Sequence, residues 1–190
     1  MTKASNLEIE VKLACDDLDR LRNAGISLTL NSPRHFEDNW LLDLSDRTLF
    51  QQGAALRVRS VSGKGSITYK GIVQESAESR LKVREEIQTA IDEPERAIEL
   101  FERLGYQRSF RYQKYRTGYR ATLNGYEFKV ELDETPMGNF IEIEGDEASV
   151  GNALDVAGFG SDEIIRESYP ELQAPRCKAQ GIPLEDLVFE

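Results

Sequence analysis

The chain has 190 residues, 39% apolar and 31% charged, with a formal net charge of −10 and one histidine. This suits a single domain with a substantial core and excludes a disordered chain; no apolar run approaches the roughly 18 residues of a membrane span, and the acidic balance argues against non-specific nucleic-acid binding. A site needing several histidine ligands is excluded and any histidine-dependent triad would rest on His35, so a bound metal would be held by oxygen, favouring Mg²⁺ or Mn²⁺ over zinc.

The opening MTKASNLE has no apolar core of a secretory signal, and Cys15 and Cys177 lack CxxC spacing; both features predict a cytoplasmic protein with reduced thiols. LEIEVKL, residues 7–13, predicts a strand with Glu8, Glu10 and Lys12 on one face and Leu7, Ile9, Val11 and Leu13 on the other. Residues 15–24 read as a helix, with Asp16 as its cap and Gly25 after it. His35, beside Arg34, falls in a loop entering a second strand at NWLLD (39–43), where an exposed or capping histidine is expected and Trp40 is expected to pack under a helix. In ALRVRS, Arg57 and Arg59 oppose Leu56 and Val58. SGKGS at 62–66 is a turn; it is not a phosphate loop, because the required first glycine would stand at Val58. In SITYKGI, Thr68 and Lys70 oppose Ile67 and Tyr69, and in RLKVREEIQ, Lys82, Arg84 and Glu86 oppose Leu81, Val83 and Ile87, with Glu85 breaking the apolar side.

Residues 93–104 predict a helix with Pro94 in its first turn, Gly105 after its last, and Ala97, Leu100, Phe101 and Leu104 as the apolar stripe. RYQKYRTGYR sets Lys114 and Arg116 on one side, while Tyr112, Tyr115 and Tyr119 make no nucleic-acid motif. Asn124-Gly125 signals a type I′ hairpin into YEFKVELDE, where Glu127, Lys129, Glu131 and Asp133 oppose Tyr126, Phe128, Val130 and Leu132. A turn at Pro136-Met137-Gly138 precedes FIEIEG, in which Glu142 and Glu144 flank Ile143. Residues 147–157 and 161–168 read as further helices, Tyr169 as a packing residue, and the stretch from Glu171 to Glu190, with Pro175 and Pro183, as extended chain with a short final helix.

Apolar helix stripes must cover the strands' apolar faces, which leaves the charged faces opposite. An open sheet would give those faces to water; a closed barrel would make them a lining. For one strand alone the solvated reading is the ordinary one. Repetition of Arg, Lys, Glu and Asp on nearly every strand favours closure, because about eight antiparallel strands can close and leave no edge. The expected fold is therefore α+β, a closed antiparallel barrel with helices outside. Crowded cations in such a lining call for a polyanion, and crowded carboxylates for a divalent cation.

In order along the chain, ExExK as Glu8-Ile9-Glu10-Val11-Lys12, NWLLD, ALRVR, TYKG, VREEIQ, KYR (114–116), ELDE (131–134), MGNFIEIE and SYPEL (168–172) resemble the CYTH superfamily of triphosphate tunnel metalloenzymes, with relatives among class IV adenylate cyclases, thiamine triphosphatases and inorganic triphosphatases. The resemblance spans residues 6–172 and suggests a domain over 1–172 with a tail, 173–190, against the barrel. It implies an eight-stranded antiparallel tunnel binding a triphosphate with Mg²⁺ or Mn²⁺. By motif, Glu8, Glu10 and Glu142 would hold metal, with Glu144 a further or water-mediated ligand. Lys12, Arg57, Arg59, Lys70, Arg84, Lys114 and Arg116 would contact phosphates. Glu86 and Asp133 would orient waters or basic side chains, Glu131 would do so or assist a second metal, and Lys70 would activate water or simply bind phosphate. The chain departs from the family at Asn39, where Asp is frequent, and at Trp40, Leu41 and Leu42.

The residues and the resemblance leave three readings. The first is hydrolysis of tripolyphosphate, thiamine triphosphate or a nucleoside triphosphate. The second is a class IV-type adenylate cyclase, converting ATP to cyclic AMP and pyrophosphate. The third is a non-enzymatic polyphosphate or nucleotide binder, against which the retained carboxylates argue. The expected partner is a small triphosphate, with neither nucleic acid nor membrane, and the protein is expected as a monomer or homodimer.

Overall fold

In the computed structural model the described residues are 7–14, 18–74 and 80–190. Eight strands run β1 (Leu7–Ala14), β2 (Ser27–Asp43), β3 (Ala55–Val61), β4 (Lys64–Lys70), β5 (Lys82–Ile91), β6 (Gln107–Leu123), β7 (Tyr126–Thr135) and β8 (Gly138–Glu144). A short ninth, β9, covers Ile164–Ile165. They hydrogen-bond in the order β5-β4-β3-β2-β6-β7-β8-β1-β9, and β1 also pairs with β5. The first eight strands therefore close into an antiparallel barrel. β1 is the seam: Leu7 to Glu10 pair with β5, Glu10 to Ala14 with β8, and Lys12 and Leu13 with β9.

Turn chemistry matches the sequence where it is strongest. Asn124 and Gly125 both have positive φ, 52° and 87°, as a type I′ hairpin requires. Ser62 and Gly63 do the same between β3 and β4.

The barrel is inverted relative to an ordinary globular core, with apolar strand faces pointing outward under the helices. Val11, Leu13, Val130, Ile141 and Ile143 pack with Leu21 of α1 (Asp19–Asn23) and Val150, Ala153 and Leu154 of α4 (Glu147–Val156). Leu42, Leu56 and Val58 pack with Ile98 of α3 (Pro94–Arg103), and Trp40 joins this cluster under Arg108 and Arg111. A third cluster lies on the inward faces at one end of the barrel, where Phe110, Tyr112 and Phe140 meet Tyr169 of α5 (Tyr169–Gln180) and Leu187. A one-turn helix, α2 (Thr48–Gln51), is capped by the buried Asp43 carboxylate, which accepts the N–H groups of Leu49 and Phe50. None of the described helices is long and apolar enough to cross a membrane.

Several elements differ from the sequence reading. Of the helix expected over 15–24, residues 19–23 are α1, while Cys15 and Asp16 lie outside the described residues. β2 starts at Ser27, so His35 sits within a strand opposite Arg116 rather than in a loop; Pro33 is tolerated there because the register shifts between Ser32 and His35. α3 turns inward a face rotated from the expected stripe: Pro94 and Ile98 are buried, Ala97 and Phe101 of the stripe are half-buried with Phe101 packing on the same cluster, and Leu100 and Leu104 are 60% and 65% exposed. Residues 161–168 form only a 3₁₀ turn at Ser161–Glu163 and then β9. The tail is reversed from expectation. Its first part is helix despite Pro175, begun by Ser168 and Glu171 in a capping box and ended at Gly181 (φ 70°). The chain beyond Gly181 is extended, with Leu187 bonding to the backbone of Arg111 and Gln113 beside β6. Cys177 is buried and free.

Candidate active site in the barrel bore

Strand alternation puts the ionic faces into one cavity of about 260 Å³. Glu8, Glu10 and Lys12 enter it from β1, Arg57 and Arg59 from β3, Lys70 from β4, Arg84 and Glu86 from β5, Lys114 and Arg116 from β6, Glu131 from β7, and Glu142 and Glu144 from β8. Asp133 stands behind this wall, fully buried. All these sequence-selected residues thus meet in or directly behind one bore.

The antiparallel register sets opposite charges across from one another: Glu8 faces Arg84, Lys70 faces Glu86, Lys12 faces Glu142 and Arg116 faces Asp133. Lys70 lies 2.8 Å from both Glu8 and Glu86. Arg84 donates to Glu8 and Glu10, each at 2.9 Å. Arg116 forks onto Asp133 with two bonds of 2.6 Å and also meets Glu131 and Glu142. Lys12 is 3.7 Å from Glu142 and its ammonium lies over the Tyr169 ring. At the rim, Lys129 donates to Glu144 at 3.0 Å.

Two register pairs bring like charges together, Glu10 with Glu144 and Glu131 with Glu142. Burial, aided by Glu142, pushes the Glu131 carboxyl up. Burial would raise Glu142 as well, but Arg116, Lys114 and Lys12 hold it well below the usual carboxylate range. Glu86 is likewise lowered: Lys70 overrides its burial.

Arg57 differs from its neighbours. It is buried, and its guanidinium reaches only the Tyr112 hydroxyl at 3.4 Å and the Thr68 hydroxyl at 3.2 Å. Its Nε has no hydrogen-bond partner, and no carboxylate lies within ion-pair distance of it among the described residues.

Four contributors escaped the sequence reading. Glu37, buried behind the bore, lies 3.0 Å from Arg59 and 3.7 Å from Lys114, and one of its oxygens lacks a hydrogen-bond partner. Asn39 accepts from Arg59 at 2.9 Å. Both continue the inward alternation of β2, which could have found them. Lys82 lines the bore 3.5 Å from Glu10, and burial together with Arg84 pushes its ammonium down. Tyr112 also lines the bore. Burial would raise its phenol, but Arg57, Lys114 and Arg59 bring it to about 8. Tyr169, read only as packing, donates its hydroxyl to Asp133 at 3.0 Å. His35 contacts Pro33, Ser32 and Glu37, away from the cavity wall.

A family model for the CYTH domain matches residues 6–159. A Methanocaldococcus jannaschii protein named "Putative adenylate cyclase MJ0240" is 28% identical over 105 residues, 53% of this chain and 57% of that relative, so the match spans little more than half the relative's length. The solved structure of PH1819 protein from Pyrococcus horikoshii OT3 is 25% identical with a TM-score of 0.67, covering 89% of this chain and 99% of that one. A Hippeastrum structure, named "Putative adenylyl cyclase HpAC1" and reported with a dominant triphosphatase activity, shares the fold at TM-score 0.61 and 18% identity, covering 93% and 97% of the two chains. The family match takes in β1 through α4, the whole barrel that forms the bore, and the chain belongs to the CYTH domain family.

Proposed function

We propose that the protein is a metal-dependent triphosphate phosphohydrolase that holds the triphosphate of its substrate in the bore. Arg57 carries this reading: a buried guanidinium without a carboxylate partner, in a wall where bases outnumber carboxylates, is costly unless an anion meets it. In this reading Arg57, Arg59, Arg84 and Arg116 grip phosphate oxygens with their planar forks, and Lys12, Lys70 and Lys114 act as point charges. Asp133 holds Lys114 and Arg116 in place from behind, and Glu86 positions Lys70.

Enzymes of this family generally depend on a divalent metal. The donor set here fits a hard cation. It is all oxygen, and the facing pairs Glu10/Glu144 and Glu131/Glu142 carry repulsion that a cation would relieve. Among the described residues no three carboxylates converge, because each is tied to a base. Glu8, Glu10 and Glu142, with Glu144 at the rim, would hold Mg²⁺ or Mn²⁺ by exchanging those bases, which would then be released toward phosphate. The cation would supply charge neutralisation on the phosphate oxygens. Water attacks the terminal phosphorus, the bond to the bridging oxygen breaks, and the guanidinium groups stabilise charge gathering on the equatorial and leaving oxygens. Lys70 either orients that water or holds a phosphate.

The archaeal relative's name supports cyclisation equally, with the ribose 3′-hydroxyl attacking the α-phosphorus in the same bore. Products separate the two readings. Incubation with ATP, thiamine triphosphate and tripolyphosphate, each with Mg²⁺ or Mn²⁺, is expected to release orthophosphate. Cyclic AMP with pyrophosphate would replace hydrolysis by cyclisation, and tight binding without turnover would leave a binder.

A further inference from the structure

Lys12 is held differently from Lys70 and Lys114, each of which has a carboxylate oxygen at 2.8 Å or 2.7 Å. Among the described residues the Lys12 ammonium has one carboxylate within ion-pair distance, Glu142 at 3.7 Å. Its other contacts come from the stretch that leads into α5. It donates to the Glu167 carbonyl at 3.3 Å and lies 4.4 Å from the centre of the Tyr169 ring.

That ring is fixed at both ends. Its backbone opens α5, and its hydroxyl donates to Asp133 Oδ2 at 3.0 Å. Tyr169 is buried, with the Tyr112 and Phe140 ring centres 4.9 Å and 5.9 Å away, so it has no room to turn from Lys12. The oxygen that takes its hydroxyl also accepts from Lys114 and Arg116. One tyrosine therefore reaches three cations of the bore, Lys12 by its face and the other two through Asp133. Burial, together with Asp133 and Glu142, holds the Tyr169 phenol well above its ordinary range, so the hydroxyl remains a donor.

A carboxylate that holds a lysine also cancels its charge. A ring face attracts an ammonium through its quadrupole and carries no formal charge, so the whole positive charge is left to an incoming anion. We propose that Tyr169 is a positioning residue of the bore: its ring keeps Lys12 aimed at the phosphates once Glu142 has exchanged it for metal, and its hydroxyl steadies Lys114 and Arg116 through Asp133. The proposal rests on the reading of the bore as a metal and triphosphate site. It adds a residue from α5, beyond the residues 6–159 that the family model matches.

The test compares Tyr169→Phe, which keeps the ring, with Tyr169→Leu, which removes it. The probe is diimidotriphosphate, the tripolyphosphate analogue whose N–H bridges resist hydrolysis, titrated by calorimetry in Mg²⁺. Tyr169→Phe is expected to raise its Kd about 3-fold and Tyr169→Leu about 30-fold. In a Lys12→Met background the ring has no ammonium left to hold, and Tyr169→Leu should raise Kd only about 3-fold. Equal losses for Phe and Leu, or a loss for Leu that persists in full without Lys12, would leave Tyr169 a packing residue and overturn the proposal.

The wild type supplies a second measurement that needs no variant at position 169 to fold. With lysine labelled at its ε-carbon, the Lys12 ε-methylene signal, identified by its loss in Lys12→Met, should lie upfield of the other lysines through the ring current of Tyr169. It should stay there when Mg²⁺ and diimidotriphosphate saturate the bore. If the probe binds while that signal is unshifted, or moves back among the other lysines on binding, the bore stands and the positioning role falls. If the signal is shifted and the probe does not bind at all, the reading of the bore fails and takes this proposal with it.

Discussion

The Lys114 ammonium stands 2.7 Å from Asp133 Oδ2, with both side chains withdrawn from water. The same carboxylate takes both bonds of the Arg116 fork and the Tyr169 hydroxyl. Burial would raise the Asp133 carboxyl, yet Arg116 and Lys114 lower it. Asp133→Asn keeps the shape but removes the charge that Lys114 and Arg116 share, leaving Lys114 only Glu37 at 3.7 Å and Arg116 only Glu131 and Glu142. Breaking such a group from one side costs about 3–5 kcal/mol, which for a chain of this size lowers Tm by roughly 10 °C. A melting curve unchanged by the substitution would deny Asp133 this organising role.

Glu37 predicts an acid-dependent stability. Burial would raise its carboxyl, but Lys114, Arg59, Arg116 and Arg57 bring it to about 2, below its ordinary value of 4.5. A depressed carboxyl stabilises the fold fully above its unfolded value and loses that contribution as pH falls through its folded one. At pH 6 the wild type should exceed Glu37→Gln by about 3 kcal/mol in urea unfolding. The gap should shrink between pH 4.5 and 2. A gap that stays constant down to pH 2 would contradict the assignment.

Tyr112 should ionise near pH 8. Absorbance at about 295 nm should show one early transition in the wild type that Tyr112→Phe lacks. The sign for stability is again that of a depressed acid: relative to the Phe variant, the wild type gains stability as pH rises from about 8 toward 10 and loses it in the reverse direction. Triphosphate in the bore, by engaging Arg57, should move the transition upward.

Arg57→Ala tests the bore directly. Loss of a buried cation facing a polyanion costs about 2 kcal/mol or more, so the triphosphate Kd should rise about 30-fold. Calorimetry that finds the affinity intact would remove Arg57 from the site. Glu142→Gln should instead abolish the response of turnover to Mg²⁺ or Mn²⁺ while the far-UV spectrum stays native. Full activity in saturating metal would end its candidacy as a ligand.

Much of the barrel is legible in the chain because alternation is clean in LEIEVKL and YEFKVELDE, where each charge can be given a face from the residues alone. The early half of β2 is not, since Asn31, Ser32 and Pro33 imitate a turn, and Glu37 is lost with it. α5 is hidden by Pro175, whose cost of about 3 kcal/mol is outweighed by a capping box and by burial of Tyr169 and Cys177. α3 is found, but two stripes with helical spacing overlap in it, and only packing against β3 and β4 chooses Pro94 and Ile98 over Leu100 and Leu104. The ring beside Lys12 leaves no linear trace, because Lys12 and Tyr169 meet only after closure.

The seam at β1 has a bearing on biosynthesis. Glu10 pairs across to Glu144, 134 residues further along, so β1 is synthesised before the other barrel strands and waits for the last of the eight. Pairing over such sequence distances is slow and exposes unpaired edges meanwhile. Trapping of nascent chains by holdase chaperones, and hydrogen exchange that protects β1 late in refolding, are the kinetic marks this stitching order should leave.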